Sequence, residues 1–136
     1  MSSQFVVQLE NRPGELAHLA RALATRGIDI RHIASVGAGS VGCAFLSTSD
    51  DEATREVLRG LGHAVIEGEP VLVDVEDRPG GLADVLERLG SAGVNILGTM
   101  VLGRRSGVME VVLCVDDEAR AHAALGQTSG QSVGVR

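Results

Sequence analysis

Two short runs in this chain have the residue types and spacing to hold a charged ligand. Asn11, Arg12, Pro13 and Gly14 follow one apolar stretch, and Asp77, Arg78, Pro79 and Gly80 follow another. Each run opens a segment with helical periodicity, where proline fits the first turn. Gly14 and Gly80 carry no side chain there. Unpaired backbone N–H groups and the positive end of the helix dipole can therefore meet a carboxylate directly. That chemistry is anion capture, not bond breaking.

Other segments that resemble reactive motifs have plainer readings. Gly37, Gly39 and Gly42 spell a G-x-G-x-x-G run, but Cys43 to Thr48 reads as a strand where a dinucleotide fingerprint requires a helix. Asp50, Asp51 and Glu52, like Asp116, Asp117 and Glu118, precede helical patterns, where carboxylates cap free N–H groups. His18, His32, His63 and His122 lack metal-type spacing, and Cys43 and Cys114 form neither a disulfide framework nor a zinc set. No metal and no cofactor are expected. Arg104 and Arg105 read as a solvated hairpin tip. No nucleophile stands beside a base, so catalysis is not expected either.

Composition narrows the classes further. The chain has 136 residues, enough for one ordinary domain or two very small ones. It contains 18 acids and 12 basic residues, for a net charge of −6, the wrong sign for wrapping nucleic acid or adhering to anionic lipid. Every basic residue is arginine, which excludes a Schiff-base lysine and a Walker A loop. Phe5 and Phe45 are the only aromatics, so base-stacking platforms are missing and the core must be aliphatic. With no long apolar run and no leader-like opening segment, the sequence reads as cytoplasmic, without nucleic-acid or membrane partners.

An internal repeat organises the elements that position the two turns. A shift of 66 residues places Glu10, Asn11, Arg12, Pro13, Gly14, Glu15 and Leu16 on Glu76, Asp77, Arg78, Pro79, Gly80, Gly81 and Leu82. It also places Gly27, Ile28, Asp29 and Ile30 on Gly93, Val94, Asn95 and Ile96, and Asp50 on Asp116, with no insertion expected. Residues 5–9 and 71–75 are β-branched-rich strands. Leu16, Leu19, Leu23 and then Leu82, Val85, Leu89 recur at helical spacing, with Gly27 and Gly93 at the C-terminal ends. A glycine-rich turn joins two further strands, residues 29–36 and 41–48, repeated as 95–102 and 108–115. A second helix and a last strand follow in each copy. The order is β-α-β-β-α-β, an α+β, ferredoxin-like unit with both helices on one face of a four-stranded antiparallel sheet. The expected domains are residues 1–69 and 70–136, with Pro70 at the boundary.

The two turns, each within this order of elements, resemble the ACT domain over essentially the whole chain. The resemblance implies a regulatory, non-catalytic protein that binds a small ligand, usually an amino acid, where two such domains meet. It also implies a homodimer and a role beside an enzyme of amino-acid metabolism. In ACT domains, an amide on the turn and a second amide opening the next strand of the neighbouring domain hold the ligand. Carried over, the site comprises Asn11, Arg12, Pro13, Gly14, Glu15 and Leu16 with Asp29 and Ile30. In the second copy it comprises Asp77, Arg78, Pro79, Gly80, Gly81 and Leu82 with Asn95 and Ile96. Pairing of the copies within one chain would join Asn11 to Asn95 and Asp77 to Asp29. The amide pair is then the better site, because two carboxylates in one cleft repel. Pairing between chains would join Asn11 to Asp29. Arg12 and Arg78 either meet the ligand carboxylate or brace the turn through Glu10 and Glu76. A chain of this kind could instead dock on an enzyme with empty clefts, and binding of free amino acids separates the two readings.

Overall fold

The computed structural model describes residues 3–126 and 132–135, the last four by their backbone alone. The chain divides between Gly68 and Glu69 into two compact units. The first runs β1 (Gln4–Glu10), α1 (Glu15–Thr25), β2 (Ile30–Ala38), β3 (Val41–Thr48), α2 (Asp51–Leu61) and β4 (Val65–Gly68). The second runs β5 (Val71–Glu76), α3 (Gly81–Ser91), β6 (Ile96–Arg105), β7 (Val108–Val115), α4 (Glu118–Leu125) and β8 (Ser132–Val135). Both are the expected α+β arrangement, with sheet orders β2-β3-β1-β4 and β6-β7-β5-β8.

Alternation along the central strands builds each core. Phe5, Val7 and Leu9 of β1 and Ala44 and Leu46 of β3 share one face with Leu19 and Leu23 of α1 and Leu58 of α2. In the second unit Val71, Val73 and Val75 join Val111 and Leu113, under Val85 and Leu89 of α3 and Ala121 and Leu125 of α4. Each fully buried side chain of this size contributes roughly 1.5–3 kcal/mol. Branched and small aliphatics thus do the work that aromatics do elsewhere. Asp50 and Asp117 cap α2 and α4, accepting from the N–H groups of Ala53 and Arg120.

Two features depart from the sequence expectation. In the first sheet every pairing is antiparallel, but β8 joins β5 in parallel, from Leu72 opposite Ser132 to Val75 opposite Val135. The N–H and C=O groups on the free edge of β5 accept a four-residue strand in either direction. Helix α4 has 8 residues against 11 in α2, so the chain leaves it earlier.

The second departure is an insertion of one residue. In the first unit Leu9 stands opposite Gly42, and Gly42 opposite Gly37. In the second, Val75 stands opposite Met109, and Met109 opposite Arg104. The repeat distance is therefore 66 up to the middle of β6 and 67 beyond it. An irregularity between Val101 and Gly103 absorbs the extra residue. A bulge keeps the facing of the rest of the strand, which a plain slip would reverse. Gly37 thus corresponds to Arg104, Gly42 to Met109 and Asp50 to Asp117, not to Asp116.

Candidate functional site

The first turn leaves β1 at Glu10 and enters α1 through Gly14, whose φ of 88° is open to glycine at little cost. Asn11 ties this turn to the tip of the β2–β3 hairpin in two ways. Its backbone N–H donates to the carbonyl of Ser40 at 3.0 Å, and its Nδ2 donates to the carbonyl of Gly39 at 3.0 Å. The amide lies so close over Gly37 that a Cβ there would sit 2.6 Å from Oδ1. Arg12 is held between Glu10 at 2.8 Å and Glu15 at 2.6 Å. The hydrogen bond to Glu15 and the charges of Glu10 and Glu15 raise its pKa further. It therefore braces the turn while its side chain stays 64% exposed.

Beside this turn is a hollow of about 140 Å3, bounded by Leu9, Asn11, Leu16, Gly37, Gly42 and Cys43. Its floor is a cross-strand pair of glycines. Leu16, from the first turn of α1, stays 39% exposed at its rim. A larger open hollow of about 570 Å3 lies nearby, with Gln8, Glu10, Glu15, His18, Leu61 and His63 on its walls. His18 and His63, separate in sequence, thus line one space. Even so, no group of three metal-binding side chains occurs among the described residues.

The second turn opens its helix in the same way but has different chemistry. The N–H of Asp77 donates to the carbonyl of Gly107 at 2.9 Å, and Gly80 has a φ of 86°. The Asp77 carboxylate pairs with Arg104 Nε at 3.2 Å, and Arg104 Nη2 lies 3.6 Å from the sulfur of Met109. Arg78 pairs with Glu76 and with Asp84, the latter at 2.8 Å. Gly81 backs so closely on the carbonyl of Glu76 that no side chain fits, whereas its counterpart Glu15 carries one. Arg104 and Arg105 end β6 beside the hairpin turn and are solvated as expected, 60% and 66% exposed, but each also lies beside a carboxylate, Arg105 at 3.7 Å from Asp74. The G-x-G-x-x-G run is a hairpin as well, with its two-residue turn at Gly39, φ 64°, and Ser40.

The strand openings lie at the other end of each sheet. Asp29 and Ser49 clamp each other, the Asp29 N–H donating to Ser49 Oγ and the Ser49 N–H to the Asp29 carbonyl, both at 2.9 Å. Asn95 makes the same clamp with Asp116, at 2.9 and 3.1 Å. Asp116 thus serves the strand opening, and Asp117 alone caps α4. Both side chains at the opening, Asp29 and Asn95, are exposed, and Ile30 and Ile96 are half-buried behind them. Turn and opening stand at opposite ends of an eight-residue strand, β3 or β7, a separation of roughly 25 Å. One unit therefore does not bring Asn11 to Asp29, nor Asp77 to Asn95.

The remaining reactive side chains are accounted for individually. His32 Nδ1 lies 2.9 Å from Ser47 Oγ. Cys114 is buried, which pushes its thiol pKa up, while Cys43 is exposed. No helix among the described residues is long and apolar enough to cross a membrane.

The sequence profile of the ACT domain matches residues 71–128. A protein of Bacteroides thetaiotaomicron of solved structure is 24% identical, covering 92% of this chain and 86% of its own, with a TM-score of 0.69. The regulatory subunit of aspartate kinase from Thermus thermophilus, in its ligand-free form, is 24% identical over 92% of this chain and 89% of its own, with a TM-score of 0.59. The regulatory subunit of aspartate kinase from Thermus flavus is 22% identical over 91% and 93%, with a TM-score of 0.61. No curated protein sequence matches the chain. These likenesses extend the shared fold across both units, and the ACT domain profile matches the second unit directly, over residues 71–128.

Proposed function

We propose that this chain is a non-catalytic regulatory protein that binds a free amino acid at its turns. The carrying observation is the first turn itself. A glycine opens α1, the unpaired N–H groups of a helix start face outward, and a hollow with an amide on its wall adjoins them. The helix start suits the ligand carboxylate. Asn11 Oδ1 is free to accept from an ammonium group while Nδ2 holds Gly39.

Because the strand opening lies roughly 25 Å from the turn within a unit, a neighbouring unit supplies the second half of such a site. Asn95 is the better complement to Asn11, and Asp77 with Asp29 would gather two carboxylates. The set comprises Asn11, Gly14, Asp29, Asp77, Gly80 and Asn95, with Pro13, Leu16, Ile30, Pro79, Leu82 and Ile96 shaping it. Arg12, Glu15, Arg78 and Gly81 maintain the turns. The similar Thermus proteins are regulatory subunits of aspartate kinase. That likeness is the support for a regulator acting beside an enzyme of amino-acid metabolism, and a cytoplasmic homodimer is part of the same proposal.

A thermal-shift panel of the twenty amino acids tests the reading. Ligand at a hundred times its Kd stabilises the native state by about 2.7 kcal/mol. Binding is expected to weaken in Asn11→Ala and in Asn95→Ala. A flat panel, repeated by calorimetry, would sink the proposal.

A further inference from the structure

The one-residue offset sets an empty place in the first unit beside a filled one in the second. In the first unit, the cross-strand pair next to the turn is Gly37 and Gly42, and above it lies the hollow of about 140 Å3. In the second unit the same pair is Arg104 and Met109. Met109 is only 7% exposed and belongs to the core, where Leu82 packs against that cluster. Leu16, the counterpart of Leu82, is 39% exposed and borders the hollow. Arg104 completes the filling by neutralising Asp77 at 3.2 Å. The second turn therefore carries, as covalent parts of the chain, an unbranched apolar side chain and a cation. The first turn lacks both.

We infer that the Gly37–Gly42 hollow receives the side chain of the bound amino acid, that this side chain is aliphatic or a thioether, and that Met109 with Arg104 permanently occupies the equivalent place in the second unit. The inference rests on the amino-acid reading above and adds the ligand class and the choice of unit. Chemistry on the walls favours an apolar occupant. Leu9, Leu16, Val36 and Cys43 bound the space and Gly37 and Gly42 floor it, while the one cation on its wall, Arg12, is already held by Glu10 and Glu15. An acidic side chain would find no unspent cation there, a basic one would find only carboxylates already bound to Arg12, and either would lose hydration. Asn11 alone needs a glycine beneath it, since any Cβ on Gly37 would strike its amide. Asp77, reached by Arg104 from that same position, does not.

The test is calorimetry with L-valine, L-leucine, L-methionine, L-aspartate and L-lysine on the full chain and on Gly42→Met, which places in the first unit the side chain that fills the second. The expected result is binding of at least one aliphatic or thioether probe to the unaltered chain, more tightly than either charged probe, and a loss of about tenfold or more in Gly42→Met. A cooperative thermal transition confirms that this variant is folded. If it is not, Gly42→Ala carries the test. Its Cβ meets the carbonyl of Val36 at 3.3 Å, a close but tolerable approach, and a several-fold loss is expected. Tighter binding of aspartate or lysine overturns the ligand class. An unchanged Kd in the folded variant overturns the hollow as the side-chain site while leaving amino-acid binding intact. Failure of every probe on the unaltered chain overturns this inference, whereas the amino-acid reading falls only with a flat panel of all twenty.

Discussion

Replacing Gly37 with alanine tests how the first turn is joined to its hairpin. The new Cβ would lie 2.6 Å from Asn11 Oδ1 and 2.8 Å from Nδ2, closer than side-chain atoms pack, so the amide must swing away and release the Gly39 carbonyl. The lost bond costs about 0.5–1.5 kcal/mol net. Opposing it, alanine in a strand is better than glycine by roughly 0.5–1 kcal/mol because the unfolded chain has fewer conformations to lose. The two nearly cancel, and the single substitution is expected to change stability by less than about 1 kcal/mol. In an Asn11→Ala background the clash is gone and only the gain remains. Gly37→Ala should then stabilise by roughly 0.5–1 kcal/mol, so the two sites couple by about 1 kcal/mol. Urea unfolding followed by far-ultraviolet circular dichroism on the four proteins of this cycle measures the coupling. Additivity within about 0.3 kcal/mol would mean that the amide does not hold the hairpin.

Gly81→Ala, which drives a Cβ into the carbonyl oxygen of Glu76, should lower stability by about 1–3 kcal/mol or more. Glu15→Ala, at the matching place in the first unit, should move the melting midpoint far less because its partner Arg12 is solvated. Glu67 has its pKa lowered, first by the hydrogen bond from Arg55. Its contribution is therefore present above the ordinary glutamate range and is lost as pH falls through the depressed value. Melting points of the natural chain and of Arg55→Ala should accordingly differ at neutral pH and converge in acid, and parallel curves down to low pH would contradict this. Cys43 should react with a thiol reagent in the native protein and Cys114 only after unfolding, so counting labels by mass spectrometry should give one and then two. Two labels on the native chain would show that β7 is not closed over Cys114.

Much of this architecture is legible in the sequence because its signals are local. The alternation of Phe5, Val7 and Leu9, the helical spacing of Leu19 and Leu23, and the paired turns ahead of Gly14 and Gly80 each name an element without reference to the rest. The inserted residue near Leu102 is not legible, for a definite reason. The acidic runs at residues 50–52 and 116–118 are identical at an offset of 66, so the residue types point away from the step of one residue that the strand pairing shows. With that step hidden, Arg104 reads as the counterpart of Ala38, and its pairing with Asp77 goes unseen. Only pairing across the sheet, Gly37 on Gly42 and Arg104 on Met109, reveals which side chains stand under each turn. The common hollow of His18 and His63 is similarly hidden, since it is assembled by α1 and the end of α2. The direction of β8 carries no periodic signature either, being four residues long.

The distance between a turn and its strand opening gives each unit a polarity. In the first unit the amide side chain, Asn11, stands at the turn and the carboxylate, Asp29, at the strand opening; in the second the order is inverted, with Asp77 at the turn and Asn95 at the opening. Two units of one fold thus carry opposite orders of amide and carboxylate along their strands.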